Sequence, residues 1–162
     1  MRVLGIDPGY ERLGIAVIEK RENKDFLVYS ECFQTSAKLN FNERLLLLGE
    51  RVAEIIEKYK PTAMAIETLM FNTNQKTAIN VAEARGVVLY EAAKNNLTIF
   101  EYNPLQIKIA VTGYGRSDKN QVTDMVKRLI SIEKKEMKDD EYDAIACAIT
   151  CFASYRVQNI NQ

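Results

Sequence analysis

Apolar positions along the chain change period several times, and each change marks an element. Val3 to Ile6 is a short apolar run that meets Asp7 and stops at Pro8-Gly9, which predicts a strand ending in a turn. Leu13 to Glu19, with Gly14 near its start, and Asp25 to Phe33 read as two further strands. The short connections between the three predict an antiparallel meander. From about Asn42 the spacing becomes helical. Leu45, Leu48, Val52, Ile55 and Tyr59 recur on one side until Pro61 ends the run. Thr62 to Glu67 returns to strand. Ala78, Ala82, Arg85, Leu89 and Ala93 mark a second helix, in which Ala78, Ala82 and Gly86 form a small-residue face. Leu97 to Tyr102 predicts a fifth strand, closed by Asn103-Pro104, and helical segments follow near 105–111, 119–131 and 140–157.

This order, β-β-β-α-β-α-β-α, predicts an α/β fold with a mixed five-stranded sheet and helices on both faces. The chain carries no internal repeat or Pro/Gly/Ser linker, so residues 1–157 read as one domain and 158–162 as a polar C-terminal tail. In the parallel part of such a sheet, functional groups gather where strands end. Asp7 and Glu67 both stand at strand ends.

Composition narrows the chemistry. The 162 residues are 47% hydrophobic and 27% charged, the balance of a soluble globular protein. Histidine is absent, which excludes Ser-His-Asp and Cys-His nucleophile pairs and His-ligated zinc. The cysteines are Cys32, Cys147 and Cys151, an odd number without a C-x-x-C, which favours a reducing compartment over a disulfide framework. Cys147 and Cys151 lie in an apolar stretch and read as packing residues. The N-terminus has no signal-peptide core and no apolar run is long enough to span a bilayer, so the expected location is cytoplasmic, away from membrane.

Acidic side chains remain as the candidate chemistry. Taken alone, Asp7 is a turn aspartate, Glu67 a glutamate emerging into solvent, and Asp139, Asp140, Glu141 and Asp143 the acidic first turn of a helix. Together they say more. Asp140 and Asp143 share a helix face that continues into Ala144, Cys147, Ala148 and Cys151, residues small enough for the helix to lie close on a sheet. Asp7, Glu67, Asp140 and Asp143 then form an acidic cluster suited to hard divalent ions such as Mg²⁺ or Mn²⁺. Two such ions can activate a water and stabilise the leaving oxygen in phosphodiester cleavage.

A polyanionic substrate needs cations nearby. The chain as a whole has 22 Lys and Arg against 22 Asp and Glu, yet residues 105–138 hold eight basic residues against four acids. Lys108 and Lys119 flank the loop Thr112-Gly113-Tyr114-Gly115-Arg116-Ser117, which could set amides and cations on phosphates.

Several of these segments occur in one order: Gly5-Ile6-Asp7-Pro8-Gly9, Ala65-Ile66-Glu67, Ala84-Arg85-Gly86, Val111 to Gly115, Lys119-Asn120-Gln121-Val122, Asp140-x-x-Asp143-Ala144 and Ala148-Ile149-Thr150. The set resembles the RuvC family of Holliday junction resolvases from about residue 1 to 153. The resemblance implies an RNase H-like fold, a homodimer whose contact runs largely through the second helix, and Mg²⁺-dependent paired nicks at a four-way DNA junction. It implies Asp7, Glu67, Asp140 and Asp143 as metal-binding catalytic carboxylates around two Mg²⁺, with Mn²⁺ as a substitute. On this reading Asp7 bridges the ions, Glu67 and Asp143 each hold one, and Asp140 completes the site or orients the water. It further implies DNA contacts from Lys76, Lys108, Arg116, Lys119 and Gln121, an aromatic-type contact at Met70 or Phe71, and the RuvA–RuvB branch-migration complex as partner. Two other readings compete. The stretch Tyr10 to Ala16 is also similar to the opening of the YqgF type of RNase H-like nuclease, linked to ribosomal RNA processing. A non-cutting binder of branched DNA would gain by losing four negative charges beside phosphates.

Overall fold

A computed structural model of the chain describes residues 1–22, 24–69, 75–132 and 136–160, by backbone alone at 75–76 and 155–160. Strands β1 (Arg2–Asp7), β2 (Arg12–Arg21) and β3 (Lys24–Gln34) precede helix α1 (Phe41–Tyr59), strand β4 (Ala63–Glu67), helix α2 (Gln75–Lys94) and strand β5 (Thr98–Tyr102). Helices α3 (Pro104–Thr112), α4 (Lys119–Leu129) and α5 (Asp139–Ile160) complete the chain. The sheet order is β3-β2-β1-β4-β5. The meander β1–β2–β3 is antiparallel, and β4 and β5 add in parallel to β1. The predicted order of elements holds. The last two helices differ from expectation at their ends: α4 stops at Leu129 because Ile130 turns extended, and α5 runs to Ile160, past the predicted 157.

Alternation along the strands sorts the core into two unequal layers. Leu4, Ile6, Leu13, Ile15, Val17, Met64 and Ile66 pack towards α1 and α2. The opposite face carries Val3, Ala16, Ile18, Ala63 and Ala65 beneath α3, α4 and α5. Small residues in the middle of that second face let α5 sit almost on the sheet. A Cβ on Gly5 would collide with the Ala144 carbonyl oxygen and come within 2.9 Å of Ala148 Cβ, and one on Gly14 would collide with the Asp140 carbonyl oxygen. Cys147 and Cys151 are buried in the same seam.

Capping fixes where the helices begin. Asn40 with Glu43, Asn103 with Gln106, and Asp118 with Gln121 form reciprocal capping boxes on α1, α3 and α4. Gly113 closes α3 with φ of 76°, a conformation that suits glycine.

Candidate active site

β1 is the central strand, and its last residue, Asp7, pairs across to Gly14 on β2. Ile6 pairs with Ile66 on the other side, which brings Glu67 to the same end of the sheet. The first turn of α5 lies over this end because Gly14 and Gly5 leave room for its backbone. Asp7 is therefore surrounded by like charge. Burial, then the charges of Asp143, Glu67 and Asp140, push its carboxyl up to about 7. Burial, and then Asp143, also raises Glu67, while Lys108 and Lys119 pull it back. Asp143 is raised by burial despite its ion pair.

The two α5 carboxylates have different companions. Asp143 Oδ2 lies 3.0 Å from Lys119 Nζ, and that ammonium also reaches Asp139 at 3.5 Å. Asp140 faces the meander instead. Its Oδ1 is 3.4 Å from Arg12 Nε, and its Oδ2 accepts from the Cys32 thiol at 3.5 Å. Burial, followed by the charge of Asp140, raises the Cys32 thiol. Glu141, in the same turn, is buried and structural: it accepts from Ser30 Oγ at 2.7 Å and from the Lys138 N–H at 3.1 Å.

Glu67, Asp143, Lys108 and Lys119 line one cleft of about 200 Å³, walled by Pro104, Ile107, Val122 and Ala146. Acid and base thus meet in one concavity at the carboxyl ends of the parallel strands, where ligands bind in open α/β sheets. Among the described residues no three carboxylate or thiol side chains already close as a finished metal cage. The donor set nonetheless fits a hard cation: it is all oxygen, three of its members are raised by burial, and the Lys119 ammonium already occupies the place of a counter-ion at Asp143. Asp7, Glu67, Asp140 and Asp143 are the residues that would hold it.

The other sequence candidates divide. Lys108 and Lys119 stand in the cleft. Arg116 is exposed on the turn between α3 and α4. Gln121 is exposed, but its Oε1 accepts from the Asp118 N–H at 3.0 Å, so its side-chain carbonyl serves the helix cap. Met70, Phe71 and the Lys76 side chain lie outside the described residues. Sequence reasoning missed Arg12 and Arg85 as supports. Arg85 Nε donates to the Glu67 carbonyl at 3.2 Å, and its other end pairs with Glu101. An arginine inside the repeating packing stripe of a helix was the available signal.

Fold and site together define a nuclease of RNase H-like architecture. Residues 3–151 match the family model described as crossover junction endodeoxyribonuclease RuvC, and the chain belongs to that family. The RuvC of Caldicellulosiruptor saccharolyticus is 46% identical over 151 residues, 92% of this chain and 90% of its own. That of Petrotoga mobilis is 46% identical over 156 residues, 96% of this chain and 95% of its own. The solved structure of T. thermophilus RuvC in complex with a Holliday junction substrate matches with a TM-score of 0.91 at 31% identity, over 98% of this chain and 96% of that one. The yeast mitochondrial resolvase Ydc2 shares the fold, with a TM-score of 0.69 at 13% identity. Family membership makes the chain an endonuclease that hydrolyses phosphodiester bonds with a divalent metal, as the resemblance implied.

Proposed function

We propose that the chain resolves four-way DNA junctions by paired symmetric nicks, using Mg²⁺ at Asp7, Glu67, Asp140 and Asp143. The observation that carries this reading is the cleft shared by Glu67, Asp143, Lys108 and Lys119, with Asp7 half-buried beside Glu67 and Asp143 and electrostatically coupled to both. When bound, two divalent ions supply a nucleophilic water near neutral pH and neutralise charge on the leaving oxygen, giving a 5′-phosphate and a 3′-hydroxyl. The chain's own groups do the rest. Lys108 and Lys119 hold the phosphate in the cleft, and Arg12 and Cys32 orient Asp140. Arg116, Gln121, Lys76 and the Met70-Phe71 segment extend the DNA contact.

A homodimer suits a two-fold junction, since an isologous pair presents two identical sites. Support comes from α2. A Cβ on Gly86 would meet open space within the chain, so the small face there is not consumed by internal packing, and Ile79 and Tyr90 are exposed on the same helix. On this reading residues 1–157 form one catalytic domain that works in the cytoplasm beside the RuvA–RuvB complex. Among the described residues no helix is long and apolar enough to cross a membrane.

The test is cleavage of a synthetic four-way junction against linear duplex and structured RNA of matched length, in Mg²⁺ and in EDTA. Asp7→Asn runs in parallel, with binding measured in Ca²⁺. The expected result is paired nicks in the junction alone, lost in EDTA and in the variant while binding persists. Preferential cutting of RNA, or binding without cutting across several junction sequences, would overturn the reading.

A further inference from the structure

The turn between α3 and α4 carries an aromatic side chain that the chemistry above does not use. Tyr114 is 57% exposed, yet its backbone is clamped on both sides. Its N–H donates to Thr112 Oγ1 at 3.1 Å, and Thr112 Oγ1 in turn donates to the Lys108 carbonyl at 2.8 Å. Its carbonyl accepts from the hydroxyl of Ser117 at 2.7 Å and from the Ser117 N–H at 3.2 Å, and Ser117 is 2% exposed. Gly113 supplies the left-handed step into the turn, and Gly115 passes so close to Leu105 Cδ1 that a Cβ would collide with it. Leu105 and Ile109 are themselves about half exposed. A rigid turn thus holds an exposed aromatic residue next to Gly115, whose backbone rests on the half-exposed Leu105 and Ile109.

The charges on and around the turn bear on which surface an exposed ring there would fit. Lys108 is joined to this clamp and lines the cleft. Arg116 and Lys119 follow on the same turn and at the start of α4. An exposed ring amid cations next to a phosphodiester-cleaving cleft fits the apolar surface of a nucleic acid, because bases and sugars offer flat faces between phosphates.

We propose that Tyr114 is a DNA-contact residue whose ring packs on the apolar face of a nucleobase or deoxyribose of the substrate, next to phosphates held by Lys108 and Lys119. This rests on the proposed junction-cleaving function. The ring sets affinity and orientation and takes no part in bond cleavage.

The test uses the full chain with Tyr114→Ala, Tyr114→Phe and Arg116→Ala. Binding to a four-way junction and to linear duplex is measured in Ca²⁺ over a salt series, with single-turnover cleavage at saturating protein in Mg²⁺. Tyr114→Ala should weaken junction binding roughly 5- to 150-fold, the range for losing one aromatic–base contact. Tyr114→Phe should stay near wild type, and the cleavage rate at saturation should stay within about twofold, because positioning by the remaining contacts persists once DNA is bound. The salt slope of Tyr114→Ala should match wild type, since a ring releases no counter-ions, whereas Arg116→Ala should lower it by about one. Loss on the junction alone assigns a base face, open only where stacking is interrupted; equal loss on duplex assigns deoxyribose. Unchanged affinity overturns the proposal. A reduced salt slope in Tyr114→Ala overturns it in favour of loop support for the cations. An altered oligomeric state with intact DNA affinity overturns it in favour of a second copy on this patch. Wild type that neither binds nor cuts the junction overturns the parent function as well, so the two failures are told apart.

Discussion

Lys119 Nζ lies 3.0 Å from Asp143 Oδ2, so the described site holds its own cation against the carboxylate a divalent ion would use. The ammonium is about half exposed and therefore exchangeable. Lys119→Met should make metal binding tighter by a few-fold, measured by Mn²⁺ titration without DNA, because a competing charge is gone. The same substitution should weaken junction binding and lower its salt slope by about one. Weaker Mn²⁺ binding in the variant would contradict this account of the pair.

Asp7 makes the metal-free protein pH-sensitive. Its folded pKa of about 7 lies above the ordinary carboxylate value of 3.8, so the native state binds the extra proton between these limits. Stability is full below the unfolded value and falls as pH rises through the folded one, levelling off above about pH 8. Glu67 and Asp143 shift in the same direction and add to the slope. In EDTA at pH 8, Asp7→Asn should be more stable than wild type by roughly 2–4 kcal/mol, with a flatter pH dependence. Thermal melts across pH 4–9 check this, and equal melting curves at pH 8 would refute it.

Gly14 and Gly86 should respond oppositely to the same added methyl. At Gly14 the methyl has no space beneath the Asp140 carbonyl, so Gly14→Ala should lift the start of α5. The expected cost is about 1–3 kcal/mol of stability and at least tenfold in cleavage rate. At Gly86 the methyl enters open space, and helix propensity should add roughly 0.5–1 kcal/mol to the stability of the isolated chain. Chemical denaturation of the two variants side by side separates these effects.

Arg85 holds the backbone of Glu67, while its partner Glu101 is half exposed. Glu101→Gln should therefore change little, within about 1 kcal/mol. Arg85→Ala should lower the single-turnover rate about tenfold by loosening the strand end that carries Glu67. Comparable losses in both variants would place the effect in the ion pair rather than at the Glu67 carbonyl.

Much of this was legible in the sequence because the periods are clear. The strand ends at Asp7 and Glu67 follow from apolar runs that stop on a carboxylate, and Asp140 and Asp143 follow from three-residue spacing above a small-residue stripe. What stayed hidden depends on partners far apart in the chain. Arg12 looks like a turn residue until Asp140 is placed opposite it, and Cys32 looks like an ordinary strand position until its thiol meets the same carboxylate. Gln121, a candidate DNA contact, also gives its side-chain carbonyl to the cap of α4, a role that its three-residue spacing from Asp118 could have shown. Glycines inside strands at Gly5 and Gly14 were readable as sites of close approach, but not as the seat of α5.

The unequal layers of the core have a consequence for how the chain can vary. Beneath α1 and α2, bulky side chains such as Leu4, Ile15 and Met64 can be exchanged for others of similar volume, and the adjustment stays among hydrocarbon. Beneath α5 the contact is backbone against backbone at Gly5 and Gly14, so no side chain is available to absorb a change. Sequence drift is therefore cheap on one side of the sheet, while on the other a single added carbon moves Asp140 and Asp143 together.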